Sequence, residues 1–494
     1  MFKVGFDNDK YLKLQSSKIK ERISLFGERL YIEFGGKLFD DFHASRVLPG
    51  FAPDSKIRML TELKDEAEII IAINSSDIEK NKVRGDIGIT YDLDVLRLID
   101  AFRGWGLYVG SVVMTRYKSS PTADAFKQKL EKLGIKVYKH YDIEGYPHNI
   151  PHIVSDEGYG KNEYAETTRS IVIVTGPGPG SGKMATCLSQ IYHESKQGRK
   201  SGYAKFETFP IWNISLNHPV NLAYEAATAD LNDVNMIDPF HLDAYGSPAV
   251  NYNRDVEVFP VLRSMLEGIL GECPYKSPTD MGVNMAGFCI YDDDAVCYAA
   301  KQEIIRRYYG VLCDIRKGGG SEVELSKIEL LMRKLSCSEQ DRRCVSPALA
   351  KAAETGSPAV AIELNDGRIV TGKTSALLGA SSAALLNALK TIAGIDDETD
   401  VISPEILEPI QKLKIENLGN HNPRLHTDEV LIALSISAVN NPNSRRAFEA
   451  VPYLRYAEAH STVILSQVDV TTFRKLGVNL SCEPQYQTKK LYHN

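Results

Sequence analysis

The sequence predicts an α/β protein of several domains, with a mostly parallel, doubly wound sheet, a helical middle region and a separate α/β module at the C-terminus. Two observations support this prediction. Strand and helix signals alternate over the first 210 residues, as in parallel sheets that helices cover on both faces. A strand, a glycine-rich loop and an amphipathic helix then follow one another between residues 171 and 197, an order typical of phosphate-binding loops.

Apolar periodicity predicts the elements of the first 210 residues in chain order. The predicted helices are 11–26, 54–65, 92–103 and 122–133, and the predicted strands are 29–34, 68–74, 107–114, 135–141 and 203–209. Four of these strands precede the glycine loop, although P-loop nucleotide hydrolases usually carry that loop near the start of their domain. Either one sheet is extended on its N-terminal side, or a separate α/β domain lies upstream.

The glycine loop lies between a strand and a helix. Residues 171–174 are all β-branched, as in a strand buried on both faces, and an apolar stripe at helical spacing begins after Lys183. Glycine N–H groups, a helix N-terminus and a lysine together suit an anion. The predicted ligand-binding residues are Gly176, Gly178, Gly180, Ser181, Gly182, Lys183 and Thr186.

The loop departs from the P-loop pattern at two positions. Pro177 stands where the pattern has its first glycine, and Met184 stands where it has the Ser or Thr that holds magnesium. Thr186 or Ser181 could supply that hydroxyl group. The alternative is a glycine-rich turn that only lets the helix pack closely on the sheet.

Residues 367–374 match the P-loop pattern to the letter, but in a different context. Residues 359–364 lead into Asn365-Asp366-Gly367, which is a strong signal for a turn between antiparallel strands. Because residues 368–371 then form the return strand of a hairpin, we do not expect this match to be a phosphate loop.

Composition narrows the functional classes. Of the 494 residues, 43% are hydrophobic and 25% are charged, and the net charge is −6, which is ordinary for a globular protein and argues against nucleic-acid binding. No apolar run is long enough to cross a bilayer, and the first residues lack the apolar core of a signal peptide. The eight cysteines lack CxxC spacing, so we expect reduced thiols, no zinc and a cytoplasmic protein.

Residues 210–260 combine many polar residues with prolines and aromatic residues, as long ordered binding loops do. Residues 234–238 resemble a strand that ends in a magnesium-directed aspartate. We predict Asp238 and Asp243 as metal ligands, and Lys183, Asp238 and His241 as catalytic residues, with His241 as an acid or base. The alternative is an elaborate but inert connection.

The strand 203–209 carries Lys205 and Glu207. An acid at this distance from a glycine loop could bind a ribose hydroxyl, as in dinucleotide folds. The glycine spacing does not fit G-x-G-x-x-G, however, so NAD is not expected.

The rest of the chain divides into a helical region and a C-terminal module. Helices are predicted at 259–268, 294–309, 323–335, 381–393, 427–440 and 469–476, strands at 462–467 and 478–482, and a linker at 317–320. We predict domains at 1–260, 261–345 and 346–494.

The hairpin followed by the helix 381–393 resembles the opening of cytidine-deaminase-like folds. The residues that bind zinc in those enzymes are missing here. Ala380-Ser381-Ser382 stand where the helix has His or Cys followed by Glu, and no cysteine follows Pro404. The resemblance implies a scaffold used for packing or ligand binding, without deamination.

Taken whole, the chain resembles a bacterial family of cytosolic proteins of similar length, classed as domain of unknown function 1846. The motifs that carry this resemblance are Val4–Gln15, Phe34–Gly50, Asp86–Asp92 and Gly176–Lys183. Some relatives have been labelled ATP-dependent peptidases, but the sequence has no H-E-x-x-H or G-x-S-x-G motif, so peptidase activity is not expected.

The leading hypothesis is an α/β protein that binds a phosphorylated ligand, ATP or a similar nucleotide with Mg²⁺, and performs phosphoryl transfer or hydrolysis. The rival hypothesis is a non-catalytic binding or oligomerising protein whose glycine loop is structural. A chain of several α/β modules commonly self-associates, so a homo-oligomer is also expected, whereas membrane and nucleic-acid partners are not.

Overall fold

The computed structural model describes residues 3–36, 38–39, 41–84 and 88–487. Asp86 and Ile87 of the third family motif lie outside the described residues, as do Lys37 and Asp40 of the second. The helices of the N-terminal part are α1 (Asn8–Phe26), α2 (Phe42–Val47), α3 (Ser55–Glu62), α4 (Ser75–Glu79), α5 (Tyr91–Gly104), α6 (Pro121–Lys132), α7 (Ile150–Ile153), α8 (Lys183–Lys196), α9 (Pro219–Ala227), α10 (Pro239–Tyr245), α11 (Asn253–Leu270), α12 (Pro278–Met281), α13 (Asp293–Arg316) and α14 (Glu322–Lys334).

The main sheet, as far as the described residues show, has seven strands in the order β4-β3-β2-β5-β1-β6-β9, and all of them are parallel. Its strands are β1 (Arg29–Phe34), β2 (Ala67–Asn74), β3 (Tyr108–Thr115), β4 (Lys136–Lys139), β5 (Ile171–Thr175), β6 (Ser201–Phe206) and β9 (Gly282–Val283), and the short antiparallel pair β7 (Asn235–Ile237) and β8 (Val250–Tyr252) lies apart. The predicted fold class is therefore confirmed. The strands before the glycine loop extend this same sheet.

Helices cover the sheet on both faces because alternate residues of each strand point to opposite sides. In β2, Ile71 and Ile73 belong to the core shared with α5 and α6. Ile70 and Ala72 belong to the core shared with α8 and α11. Every residue of β2 is buried, which explains the apolar run of residues 69–73 within it.

The helices within residues 261–345 contribute to these same two cores. Leu262 and Met265 of α11 pack on one face of the sheet, and Ile304 of α13 and Ile328 of α14 pack on the other. The predicted linker, residues 317–320, is the tight turn between α13 and α14, in which Gly319 N donates to Asp314 O at 2.9 Å. The predicted division at residues 260 and 345 stays a prediction.

The C-terminal part forms a second sheet in the order β11-β10-β12-β13. Its elements are α15 (Val345–Thr355), β10 (Ala359–Glu363), β11 (Ile369–Lys373), α16 (Ala380–Ala393), α17 (Pro404–Lys412), α18 (Thr427–Ser437), α19 (Pro442–Glu449), β12 (Glu458–Ser461), α20 (Gln467–Leu476) and β13 (Asn479–Cys482). The predicted hairpin is confirmed, since β10 and β11 pair antiparallel. A Cβ atom at Gly372 would overlap the backbone of Ala384 in α16, so this glycine of the letter-perfect match serves packing.

One predicted strand is displaced. The apolar run at 462–467 is not a strand, and the chain pairs instead at β12, four residues earlier. The central residue of β12, His460, is fully buried, and its Nδ1 lies 2.9 Å from the Ser481 hydroxyl of β13. Long-range pairing of a polar segment therefore determined which residues form the strand, although the local apolar run favoured residues 462–467. No helix in the described part of the chain is both long and apolar enough to span a membrane.

Candidate functional site

The glycine loop lies at the point in the main sheet where the chain begins to add strands in the opposite direction. The strand β5 lies between β2 and β1. The chain leaves β5 through α8 and moves toward β6, whereas it leaves β2 through α5 and moves the opposite way, toward β3. In open α/β sheets such a switch point leaves a crevice at the carboxyl ends of the strands, where ligands bind.

The loop ends in a helix N-terminus with free donors. Gly180 and Gly182 have φ angles of +78° and +86°, a backbone conformation that favours glycine. Among the described residues, none accepts a hydrogen bond from the backbone N–H groups of Gly180 to Ala185. The Lys183 ammonium folds back over the loop, with Nζ 3.5 Å from Gly178 O. This arrangement offers positive partial charges and one full charge to an anion.

Three glycines are also required by packing. A Cβ atom at Gly176 would lie 2.5 Å from Ala72 O, one at Gly178 would overlap the Tyr91 hydroxyl, and one at Gly182 would lie 2.8 Å from the Thr115 side chain. Gly180 has no atom within 4 Å of its Cβ position. Close packing therefore accounts for three of the predicted glycines, and the open fourth faces no protein atom in the described chain.

The two hydroxyl residues of the predicted site shape the loop. Ser181 and Thr186 are fully buried. The Ser181 hydroxyl donates to Gly178 O at 2.6 Å, and the Thr186 hydroxyl donates to Gly182 O at 2.9 Å. A third donor, the Thr115 hydroxyl at the end of β3, holds Ser181 O at 2.8 Å. The assignment of Ser181 and Thr186 as ligand contacts stays a prediction, since their hydroxyl groups already serve the loop.

A charged cluster lies at the carboxyl ends of β1 and β6, on the face that α8 and α11 cover. Lys205 of β6 contacts both carboxylate oxygens of Asp255, in the first turn of α11, at 2.5 and 2.6 Å, and Glu207 Oε1 at 3.0 Å. The Tyr252 hydroxyl contacts Lys205 and donates to Glu207 Oε1 at 2.9 Å. The Lys205 ammonium group therefore forms ion pairs with two carboxylates, those of Asp255 and Glu207.

Glu33 lies between this cluster and the strand that leads into the glycine loop. In the sheet register Glu33 of β1 pairs with Lys205 on one side and with Val174, two residues before Gly176, on the other. The Tyr203 hydroxyl donates to Glu33 Oε2 at 2.8 Å. Burial raises the pKa of Cys187 in α8 well above its usual value, and the Glu33 charge adds to this while the Lys183 ammonium opposes it.

Glu207 has a strongly raised pKa. Burial raises the pKa of Glu207 to about 7, with Lys205 opposing the shift and the Asp255 charge adding to it. Burial also disfavours the charge of Lys205, but Asp255, Glu207 and Glu33 outweigh burial and raise its pKa. A partly exposed carboxyl group whose pKa lies near neutrality is suited to general acid–base chemistry.

The structure gives Asp238 a different set of contacts from those expected of a metal ligand. Asp238 is fully buried and caps α10: Oδ1 accepts from the Phe240 and His241 N–H groups at 3.0 and 3.1 Å. Oδ2 accepts from the N–H and the hydroxyl of Thr279 at 3.2 and 2.6 Å. With four donors engaged, this carboxylate has little capacity left for a cation.

His241 and Asp243 lie on the same short helix as that cap. The His241 ring lies 3.2 Å from the Ser277 hydroxyl, through Nδ1, and next to the Trp212 and Tyr245 rings. Asp243 is exposed. Thr279 and Ser277 lie just before the edge strand β9, three strand positions from β5, or about 14 Å at the usual strand spacing. No hydrogen bond or ion pair among the described residues joins them to the loop, and their catalytic and metal roles stay predictions.

A second group of potential ligands is arranged as a hydrogen-bonded cluster. His218, Asp293 and Cys297 place one ligand atom each within 4.8 Å of one another. His218 Nδ1 accepts the Val220 N–H at 3.2 Å, so the neutral ring carries its proton on Nε2, which faces Asp293 at 3.0 Å. Burial raises the pKa of Cys297 to about 11. A metal ion would have to displace the protons on Nε2 and on the thiol, and break these hydrogen bonds, before it could bind here.

Sequence reasoning identified the loop but missed most of the cluster beside it. Glu207 was noted only as a possible ribose contact, Lys205 only as part of its strand and Asp255 only as part of the polar segment 210–260, and Glu33 was not singled out. The available signal was one charged residue inside each of two apolar strands, Glu33 in Leu-Tyr-Ile-Glu-Phe and Lys205 in Tyr-Ala-Lys-Phe. The sheet register that makes them neighbours is a long-range property.

Fold and site together define a two-sheet α/β protein with a glycine loop at the switch point of its parallel sheet and a carboxylate–lysine cluster beside it. The sequence matches "Domain of unknown function DUF1846, N-terminal" over residues 4–336 and "Domain of unknown function DUF1846, C-terminal" over residues 340–492. The chain belongs to this DUF1846 family, as its motifs suggested.

Close relatives have the same length. A UPF0371 protein of Streptococcus thermophilus (strain ATCC BAA-491 / LMD-9) is 59% identical over 492 residues, and one of Streptococcus pneumoniae (strain JJA) is 58% identical over 492 residues, with 100% of both chains covered in each case. These names assign no activity, so function must be argued from the site.

Proposed function

We propose that this protein binds a phosphorylated ligand, with a nucleotide such as ATP as the first candidate, at the loop Gly176–Lys183. The observation that carries the proposal is the row of backbone N–H groups from Gly180 to Ala185, which have no acceptor among the described residues. They stand at the N-terminus of the 14-residue helix α8, where the helix dipole adds positive charge.

The side chain of Lys183 completes the cradle. In the described part of the chain, its Nζ atom is held by one 3.5 Å contact, to Gly178 O, which an anion can replace at small cost. Proteins bind the phosphates of nucleotides with the same three components: glycine N–H groups, a helix start and a lysine. Pro177 and Met184 leave this set of donors intact, because the pattern uses the first position for its turn and the second for magnesium.

Magnesium is the cofactor that such a ligand implies. One carboxylate on the segment that follows β2 has an unused oxygen: Asp77 Oδ2, in the first turn of α4, is buried and has no hydrogen-bond partner among the described residues. Asn74, three residues earlier, places Nδ2 3.5 Å from Gly180 O. Asp77 and Glu33, on the segments that flank β5, fit the role of holding Mg²⁺ better than Asp238 does. The ion would neutralise phosphate charge.

Phosphoryl transfer or hydrolysis is the activity that the neighbouring cluster supports best. Such reactions depend on positioning and charge neutralisation, together with a group that accepts the proton of the nucleophile. Glu207 is the candidate for that group, since its pKa is raised to about 7. Lys205 holds Glu207 and Asp255 in place.

A structural role for the loop is the alternative. Packing alone accounts for Gly176, Gly178 and Gly182, and a non-catalytic protein could keep them for that reason. The positive φ of Gly180 accounts for that glycine as well, but no described residue supplies an acceptor for the N–H groups that lead into α8. We place the protein in the cytoplasm, because its eight cysteines are all free thiols, as in reducing compartments.

Thermal and chemical unfolding with ATP and magnesium tests the proposal. A ligand at about 100 times its dissociation constant adds roughly 2.7 kcal/mol to the stability of the domain that binds it. We expect this gain in the wild type and in Lys196→Ala, a control at the opposite end of α8, and we expect Lys183→Ala to bind at least about tenfold more weakly.

The outcomes separate the two hypotheses. If ATP and magnesium stabilise wild type and Lys183→Ala equally, the ligand binds at a site other than the loop. If ATP, GTP and phosphosugars all leave the wild type unchanged, the loop serves packing and the proposal fails.

A further inference from the structure

Helix α18 in the C-terminal part has an apolar surface on both of its sides. Its inner side carries Val430, Ala433 and Leu434, which are fully buried. Its outer side carries Ile432 and Ile436, which remain 59% and 58% exposed. Helices on a protein surface normally pair one apolar side with one polar side, and a helix that is apolar all round is normally buried. This outer side therefore lacks its partner in the single chain.

The exposed residues form one straight stripe with a charge at each end. Asp428, Ile432 and Ile436 follow one another at spacings of four, which places them on one side of α18, and Val439 follows in the turn just after the helix ends at Ser437. Val439 is 67% exposed. At the C-terminal end of the helix, Arg445 donates from Nε to Ala438 O and from Nη2 to Val439 O, both at 3.2 Å. The stripe thus runs from an acid, through three apolar residues, to a base.

Exposed apolar residues continue on the elements next to α18. Phe448 of α19 is 44% exposed, and Leu413 and Leu418 are 51% and 67% exposed. The segment that carries these leucines is tied to α18 by Lys414, whose Nζ lies 2.7 Å from Glu429 Oε2. A stable interface buries about 800 Å² per partner, more than an 11-residue helix supplies alone, so a stable interface here would have to include these neighbours.

We propose that this surface binds a second copy of the same chain, with the two α18 helices antiparallel about a twofold axis. The apolar residues of the two stripes then cover each other at the centre. Asp428 meets Arg445 of the partner subunit at one end, and Arg445 meets the partner's Asp428 at the other. A twofold interface requires a surface that is complementary to itself, and this order of acid, apolar residues and base meets that requirement.

The order of charges argues for this occupant. A parallel arrangement would bring acid to acid and base to base, which costs energy. An unrelated partner would need the complementary order by coincidence, whereas a second copy supplies it automatically. This inference is independent of any ligand at the glycine loop.

Sedimentation equilibrium of the full chain tests the assembly. We expect the wild type at micromolar concentration to have at least twice the 54.8 kDa mass of one chain. Ile436→Asp should raise the dissociation constant by about 100-fold or more, since it places an unpaired charge at the centre of the interface. Val323→Asp is the matched control: Val323 is 65% exposed on α14, in the other part of the chain, and its substitution should leave the mass unchanged.

Charge reversal tests the antiparallel geometry. Asp428→Arg and Arg445→Glu should each weaken self-association, because each places like charges at both ends. An equimolar mixture of the two variants should recover the assembly, since opposite charges then meet at both ends of a mixed pair. Circular dichroism confirms that each variant remains folded.

Three results would overturn the proposal. The first is a wild type that sediments as a single chain. The second is an assembly that Ile436→Asp does not weaken, which would place the interface elsewhere. The third is a mixture of the two charge variants that associates no better than either variant alone, which would exclude the antiparallel pairing.

Discussion

At the residue scale, the pKa of Glu207 offers a test of the candidate site. It shares Lys205 with Asp255, and the closer pair is Lys205 with Asp255. Burial raises the pKa of Glu207 to about 7, above the ordinary value of a glutamate. The folded protein therefore binds this proton more tightly than the unfolded chain does, and stability is linked to pH.

The sign of this linkage gives the first prediction. Between the ordinary glutamate pKa and about 7 the folded state holds the proton and the unfolded state releases it, so the free energy of unfolding decreases as the pH rises through this window. Glu207→Gln removes the titrating group. We expect the loss of stability between pH 5 and pH 8 to be smaller in the variant by roughly 2 kcal/mol.

Urea unfolding at several pH values measures this difference. Glu21→Gln is the control, since Glu21 is 60% exposed and pairs only with Lys18 in the same helix. Identical pH dependence in wild type and Glu207→Gln would show that Glu207 titrates as an ordinary glutamate, and it would remove the argument for this residue as an acid or base.

At the scale of the element, sequence patterns located β1 to the residue. Residues 29–34 were predicted and Arg29–Phe34 is observed, because an apolar run before Gly35-Gly36 is a local signal. The same logic failed at 462–467, where Val463 and Ile464 are buried without belonging to a strand. Burial there comes from tertiary packing, which local periodicity does not record.

The candidate site also has one part that the sequence could predict and one part that it could not. The glycine loop and Lys183 are contiguous in sequence, so their pattern was sufficient to locate them. The cluster joins β1, β6 and α11, and its members Glu33, Lys205 and Asp255 come from segments more than 40 residues apart. Only the order of strands in the sheet brings them together, and a sequence pattern does not contain that order.

The start of α10 provides the second prediction, which concerns an element. Asp238 accepts four hydrogen bonds as its cap. Asp238→Ala should lower the free energy of unfolding by about 2–3 kcal/mol, because it leaves buried donors unpaired. Asp238→Asn keeps one acceptor oxygen and should cost less.

The same variants distinguish a cap from a metal ligand. If Asp238 is a cap, both variants keep the full stabilisation by ATP and magnesium once their lower starting stability is subtracted. If Asp238→Asn folds normally but loses that response, the sequence-based assignment of Asp238 as a magnesium ligand is correct and the capping interpretation is incomplete.

At the scale of the whole molecule, one arginine joins the parts of the chain that carry the seven-strand and the four-strand sheets. Arg342 follows α14 and is fully buried. Its guanidinium contacts Glu458 Oε2 at 2.6 Å, Asn479 O at 2.6 Å and the Ser481 hydroxyl at 2.7 Å, on β12 and β13, and Gln302 Oε1 of α13 at 3.5 Å. It thereby links the C-terminal sheet to a helix that packs on the N-terminal one.

This link gives the last prediction. Arg342→Met keeps the length of the side chain but removes the charge that balances Glu458, and loss of one partner of a buried ion pair typically costs about 3–5 kcal/mol. We expect a loss of that size by urea unfolding. Arg343→Met, at a neighbouring side chain that is 50% exposed and pairs with Glu363, should cost less than about 1 kcal/mol.

Adding Glu458→Gln to Arg342→Met should recover part of the loss, since no uncompensated carboxylate then remains. If Arg342→Met is no more destabilising than Arg343→Met, the two parts of the chain are held together by apolar packing and the arginine only fills space between them.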